Sequence, residues 1–172
     1  AAGQGKVNIA NRGDVNLDGE GAIGIFAKNN KAGTTFTNAV ALNDTAGVIT
    51  TTGTKSVGMA GEGATITNNG TINVNGQIGT GMFGEASSRM ENSGTINIAA
   101  STSPTEPNIG MYTEDQNTEI YNNKDIIGGD NTYGIYGKTI DMSATGKVKV
   151  GDNSVGVYSN GQYASSATPN VT

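Results

Sequence analysis

The sequence predicts an all-β fold, a parallel β-helix or β-solenoid, and three observations predict it. Two short phrases alternate along the whole 172-residue chain. Their apolar positions alternate with a period of two, so that Ile72 and Val74 point one way while Thr71 and Asn73 point the other. Turn residues (Asn, Gly, Asp) punctuate the chain often enough to fit three short strands into each period. A 3.6-residue apolar spacing is missing, so helical repeats are excluded.

Each element follows from these phrases. One phrase is a turn followed by two alternating apolar residues: "RGDVNL" at 12–17, "AGVIT" at 46–50, "NGTINV" at 69–74, "SGTINI" at 93–98, "NKDII" at 123–127 and "TGKVKV" at 145–150. The other reads apolar–Gly–apolar–aromatic: "IGIF" at 23–26, "VGMA" at 57–60, "TGMF" at 80–83, "IGMY" at 109–112, "YGIY" at 133–136 and "VGVY" at 155–158. A third strand is expected around Ile9, Leu42, Ile66, Met90, Ile120 and Met142. The glycines at 24, 58, 81, 110, 134 and 156 are separated by 34, 23, 29, 24 and 22 residues. The coil is therefore about 22–24 residues long, with insertions near 28–38 and 99–107, a period that signals a solenoid. Residues 1–172 form one β-helix segment of roughly six to seven coils, a rod of roughly 30–35 Å with strands about 4.8 Å apart.

Corner chemistry repeats with the coil. Asn68, Asn92, Asn122 and Asn11 are expected at one corner, forming a hydrogen-bonded ladder. Gly70 is expected there with a positive φ.

Composition excludes several function classes. The net charge is −5, from 15 acidic and 10 basic residues, with only Arg12 and Arg89 as arginines and no lysine run. Nucleic acid is therefore not an expected partner, since phosphate binding needs clustered cations. Cys and His are both absent, which removes disulfides, thiolate metal sites and the commonest zinc ligand and general base. The given residues open on no charged-then-apolar stretch and hold no apolar run of membrane-spanning length, so a mature or excised segment is expected.

The "NNGTINV" and "SVGM" or "SVGVY" phrases resemble the passenger domains of large bacterial autotransporters, most closely those of fusobacterial outer-membrane adhesins. The resemblance covers about residues 5–160. It implies a right-handed β-helix outside the cell, anchored through a C-terminal outer-membrane β-barrel that lies beyond these residues. It also implies adhesion to a host-cell or bacterial surface protein or glycan, without an enzyme activity and without a cofactor. Two-partner secreted filamentous proteins carry similar repeats, and a structural stalk is the alternative role. The parent protein is expected to continue in both directions.

Phe26, Phe83, Tyr112, Tyr136 and Tyr158 share one repeat position, which Ala60 interrupts. These rings form either an exposed ligand-binding strip beside the glycine column or an inward corner of the core. The glycine column itself is read as relief of crowding at a bend. Thr102, Pro104, Glu106 and Pro107, in the second insertion, are the other binding candidates, on a protruding, locally stiff loop.

"RGD" at 12–14 invites an integrin reading, but Gly13 aligns with Gly70 and Gly94, and Asp14 falls on a strand. The acidic turns at 17–21, 128–131 and 150–153 lack the strict nine-residue period of a calcium roll, so no metal is expected. Glu85, Arg89 and Glu91, and one coil later Glu114, Asp115 and Glu119, are the carboxylate groups that a polysaccharide-active enzyme would need. Matching residues on adjacent coils do not reinforce them. The Thr and Asn ranks are too irregular and too charged for an ice-binding face.

Overall fold

The computed structural model describes residues 7–29, 39–159, 170 and 171. Nineteen strands run through them, all paired in parallel, with no helix among the described residues. The first coil contributes β1 (Val7–Asn11), β2 (Asp14–Leu17) and β3 (Ile23–Lys28). The second contributes β4 (Ala39–Asn43), β5 (Val48–Thr51) and β6 (Val57–Glu62). Then come β7 (Thr65–Asn68), β8 (Thr71–Val74) and β9 (Thr80–Glu85), followed by β10 (Arg89–Asn92), β11 (Thr95–Ile98) and β12 (Asn108–Tyr112). The last full coils are β13 (Glu119–Asn122), β14 (Asp125–Gly128) and β15 (Thr132–Gly137), then β16 (Thr139–Met142), β17 (Lys147–Lys149) and β18 (Val155–Ser159). A short β19 (Asn170–Val171) pairs with β17.

Every third strand joins the same sheet. Sheet one is β1-β4-β7-β10-β13-β16, sheet two is β2-β5-β8-β11-β14-β17-β19, and sheet three is β3-β6-β9-β12-β15-β18. This is the parallel β-helix that the repeats predict, with six full coils and one strand per face in each.

The interior is built of columns, because the same side chain recurs at the same height on each coil. Sheet two contributes Ile49, Ile72, Ile96, Ile126 and Val148, in register and fully buried. Sheet three contributes Met59, Met82, Met111 and Ile135, also without exposure. Each methionine or isoleucine layer packs on the layer below, at about 25 cal/mol for each Å² of apolar area removed from water.

Sheet one corrects two of the sequence assignments. Its apolar column is Ala41, Ile66, Met90, Ile120 and Ile140; Leu42 pairs with Thr67 on the outer side. Met142 is buried but pairs with Asn122, one side-chain position further along the same inner face. Small Ala41 fills the column where a larger residue was expected. The preceding insertion hides the register that would have pointed to it.

The asparagine ladder forms, and it is longer than predicted. Asn11 Nδ2 donates to Asn43 Oδ1 at 2.9 Å and Asn43 Nδ2 to Asn68 Oδ1 at 2.8 Å. Asn68 Nδ2 then donates to Asn92 Oδ1, and Asn92 Nδ2 to Asn122 Oδ1, both at 2.9 Å. Asn43, Asn68, Asn92 and Asn122 are fully buried, so these bonds replace water that cannot reach them.

Gly70, in contrast, does not have the predicted positive φ; among glycines of the described residues that conformation occurs at Gly21 and Gly63. Gly70 is required by space, since a methyl group there would collide with the Gly47 and Asp44 carbonyl oxygens. Left-handed residues mark the other two corners, Gly21, Lys55, Ile78, Asn131 and Asn153 between sheets two and three, and Gly63, Ala86 and Ser87 between sheets three and one.

Candidate functional site

Sheet three decides where the aromatic rings point. In β12 the register with β15 pairs Ile109 with Tyr133 and Met111 with Ile135, and passes over Gly110. The strand bends at that glycine, and both Gly110 and Met111 face the interior. Ile109 and Tyr112 are left on the outside. A side chain at the glycine position has nowhere to go: a methyl at Gly81 would lie 2.6 Å from the Gly110 carbonyl oxygen, and one at Gly58 2.7 Å from that of Gly81. The glycine column is therefore an inner bend, as its simpler reading held, and not an outer groove beside the rings.

The aromatic position is on the outer face. Phe26 is 47% exposed and Tyr158 42%, while Phe83, Tyr112 and Tyr136 are half-buried by one another. Ala60 breaks the column between Phe26 and Phe83. Beyond that gap four rings form an unbroken line. Phe83 and Tyr112 lie 5.7 Å apart between centroids, Tyr112 and Tyr136 5.3 Å, and Tyr136 and Tyr158 4.8 Å in a stacked pair. Tyr133 joins them from the other outward position, 6.2 Å from Tyr136 with nearly parallel planes.

The electrostatics of the strip are set by one carboxylate. The Tyr112 hydroxyl donates to Glu114 Oε1 at 2.8 Å. Burial first, then the hydrogen bond and negative charge of Glu114, push the Tyr112 pKa up to about 12. Burial and the neighbouring Tyr158, Glu114 and Tyr133 raise that of Tyr136 as well.

Two outward columns therefore make this face, and the second was not recognised in the sequence. Ile23, Val57, Thr80, Ile109, Tyr133 and Val155 precede the ring position by three residues on each strand. The signal was present in the repeat, as the first residue of each apolar–Gly–apolar–aromatic phrase. Strict alternation would turn that residue inward, and alternation fails at the bend.

The remaining candidates fall in different places. Of the first insertion, residues 30–38 lie outside the described residues. The second is a compact turn in which Ser101 is buried, its hydroxyl donating to the Glu106 carbonyl at 2.7 Å. Gln77 Oε1 accepts from the Thr102 N–H at 2.8 Å, and Asn131 Nδ2 donates to the Ser101 carbonyl at 2.8 Å. Thr102, Pro104 and Glu106 are exposed at its tip, and Pro107 is half-buried where the chain re-enters β12.

Arg12 of the "RGD" is paired with Asp44 of the next coil at 2.9 Å, and Asp14 lies in register with Val48 on sheet two. The Thr45 N–H, then Arg12, hold the Asp44 carboxyl below its usual value.

The acidic groups divide by role. Arg89, Glu91 and Glu119 meet on the outer face of sheet one, where the Arg89 guanidinium lies 3.7 Å over the Tyr121 ring. Asp115 instead ties two coils together, accepting from the Ser87 N–H at 2.5 Å and the Thr118 hydroxyl at 2.7 Å. Burial acts to raise its pKa. The donors Ser87, Thr118 and Asn117, with the Lys138 charge, outweigh that and lower it. Among the described residues, no three of Asp, Glu, His or Cys converge where a metal ion could sit.

No curated protein and no solved structure matches the chain. A family model does, over residues 1–125, and its description is the BigA third pectate lyase-like domain. With that match over most of the chain and a parallel β-helix beneath it, the chain belongs to the BigA third pectate lyase-like domain family, a β-helix domain of bacterial surface proteins.

Proposed function

We propose that this chain is an adhesive, non-enzymatic segment of a surface-exposed passenger, held at the outer membrane through a β-barrel elsewhere in the parent protein. It binds host cells or other bacteria through the outer face of sheet three. The observation that carries this reading is the line of four rings, Phe83, Tyr112, Tyr136 and Tyr158, standing outside the core of a rigid scaffold. Aromatic side chains supply large contact area at low entropic cost, and a solenoid repeats them at fixed spacing. Membership in a surface-protein β-helix family supports the location.

The test is binding of the purified, labelled chain to epithelial cells and to bacteria. A variant with Phe83, Tyr112, Tyr136 and Tyr158 changed to Ser runs beside it, after circular dichroism shows that both are folded. Saturable binding lost in the variant is the expected result. Binding retained by the variant moves the adhesive site to the 99–107 turn. No binding by either chain makes the segment a stalk.

A further inference from the structure

We propose that the outer face of sheet three takes an arginine side chain of a partner protein, its guanidinium held by Glu85 and Glu114 over the rings of Phe83 and Tyr112. The proposal rests on the adhesive reading of that face and names the chemistry of its ligand.

The chain already builds such a site for itself on sheet one. There the Arg89 guanidinium lies 3.7 Å over the Tyr121 ring, with Nη2 3.7 Å from Glu91 Oε2 and Nη1 3.6 Å from Glu119 Oε2. Arg89 is in register with Glu119, and Glu91 with Tyr121, so the four are adjacent outward positions on two neighbouring coils. The Tyr121 hydroxyl donates to Glu119 Oε2 at 3.0 Å. One ring and two carboxylates thus clasp a planar cation, an arrangement that suits guanidinium better than ammonium.

Sheet three repeats this frame without a cationic member. Phe83 is in register with Tyr112, and Glu85 and Glu114 follow them by two residues, both exposed. The Tyr112 hydroxyl donates to Glu114 Oε1 at 2.8 Å, as that of Tyr121 does to Glu119. The frame therefore holds two rings and two carboxylates, where sheet one holds one ring, two carboxylates and Arg89. Neighbouring strands are about 4.8 Å apart, so one guanidinium can reach both Glu85 and Glu114.

The surroundings leave this frame negative and open. Glu62, in register with Glu85, is neutralised by Lys28 at 2.6 Å. Glu85 itself has no ion pair and no side-chain hydrogen bond among the described residues. Lys138, one coil beyond Glu114, lends its charge to Asp115. On the ring side, Ala60 lies beside Phe83, so Phe83 has a ring neighbour, Tyr112, in one direction only.

Charge favours this ligand over others. Among the described residues no third carboxylate converges here, and a calcium ion takes six or more oxygens. The whole chain carries a net charge of −5, a field that draws a cationic partner and gives a neutral saccharide nothing. Each contact is solvent-exposed and weak by itself, so a partner carrying several arginines gains by effective concentration.

The probe is a dye-labelled tetra-arginine peptide, titrated with the purified chain while fluorescence anisotropy is followed, with tetra-lysine as the comparison. Saturable binding of tetra-arginine, tighter than that of tetra-lysine, is expected. It should weaken by about tenfold in Glu85→Gln/Glu114→Gln. Phe83→Leu keeps every charge and should weaken it by about threefold. Asp14→Asn/Asp125→Asn on sheet two removes the same charge and is expected to bind as the parent chain does. Circular dichroism shows first that each variant is folded. A parent chain without saturable binding at millimolar peptide overturns the proposal. So does an equal loss in the sheet two variant, which would mean attraction to net charge alone. Maltoheptaose is titrated in parallel, and saturable binding of that sugar, lost in Phe83→Leu but kept in Glu85→Gln/Glu114→Gln, reassigns the face to saccharides. Cells bound equally by the parent chain and by the carboxylate variant overturn the arginine site and leave the adhesive reading intact. Tetra-arginine binding by a chain that binds no cells does the reverse.

Discussion

Replacing Asn68 with Ala cuts the asparagine ladder at its middle. The two buried ladder bonds disappear, the 2.8 Å bond received from Asn43 Nδ2 and the 2.9 Å bond donated to Asn92 Oδ1, together with a longer, part-buried 3.4 Å bond donated to the Thr95 carbonyl. Asn43 Nδ2 keeps the carbonyls of Gly47 and Thr71 at 3.1 and 3.2 Å, so that donor is not stranded. Asn92 Oδ1 loses its donor in a residue with no solvent exposure. Two buried bonds at about 1 kcal/mol each and one orphaned acceptor at about 1–3 kcal/mol give a loss of about 3–5 kcal/mol. In a chain of this size that lowers the thermal midpoint by on the order of 10 °C. Asn11→Ala is the comparison. It also removes a rung, but at a half-exposed end where water can replace the lost partner, so about 1 kcal/mol is expected. Because coils can open locally, amide hydrogen exchange in β7 and β10 is the assay, with urea denaturation beside it. A loss for Asn68→Ala no larger than that for Asn11→Ala would refute the claim that buried satisfaction, and not mere stacking, makes the ladder matter.

Other substitutions test other columns. Thr51 is fully buried between Leu17 and Val74 in register, and its hydroxyl has no hydrogen-bond partner among the described residues. Thr51→Val should stabilise the chain by about 1–2 kcal/mol in a urea titration, and a loss would mean that the hydroxyl is bonded. Gly81→Ala places a methyl 2.6 Å from the Gly110 carbonyl oxygen and should cost at least about 2 kcal/mol, whereas Gly19→Ala, with open space around it, should stay within about 0.5 kcal/mol. Tyr112 should ionise with a midpoint at about 12 in an absorbance titration. Because that folded value lies above the ordinary tyrosine value of about 10, its contribution to stability is complete below the latter and is lost as pH climbs toward the former. Tyr112→Phe should flatten that alkaline loss.

The coil was legible because a solenoid writes its architecture as a repeat. Ile72 and Ile96 occupy equivalent positions in sequence and are neighbours in space, so aligning the phrases amounts to stacking the strands. Legibility failed where a residue's role depends on something other than the repeat. The sequence points to Leu42 over Ala41 because Leu42 is the larger apolar residue, and the adjoining insertion removes the register that would mark Ala41. Asn43, the second rung of the ladder, was missed for the same reason. Gly70 was assigned a dihedral requirement when close approach of the next coil was the cause. Ile78, with a φ of 57°, shows the converse: a β-branched residue gives no hint that it sits at a left-handed corner. The ring column was visible, but its direction depended on the glycine bend that only the coordinates reveal.

The asparagine ladder also has a sense of direction. Every rung donates forward, from a lower-numbered coil to a higher-numbered one. The direction is locked, because each buried Nδ2 also faces a backbone carbonyl: Gly47 and Thr71 for Asn43, Thr95 for Asn68, Asp125 for Asn92 and Lys124 for Asn122. Turning one amide over would set oxygen against oxygen both along the ladder and at the main chain. The five amides therefore behave like a row of ordered dipoles that no single member can reverse, and the two ends of the row differ. One end presents an acceptor. At the other, Asn122 bends its amide back to the Lys124 carbonyl, because Met142 occupies the next rung. The rod is thus polar along its axis, and a coil moved from one end of the ladder to the other would meet the opposite half of a hydrogen bond.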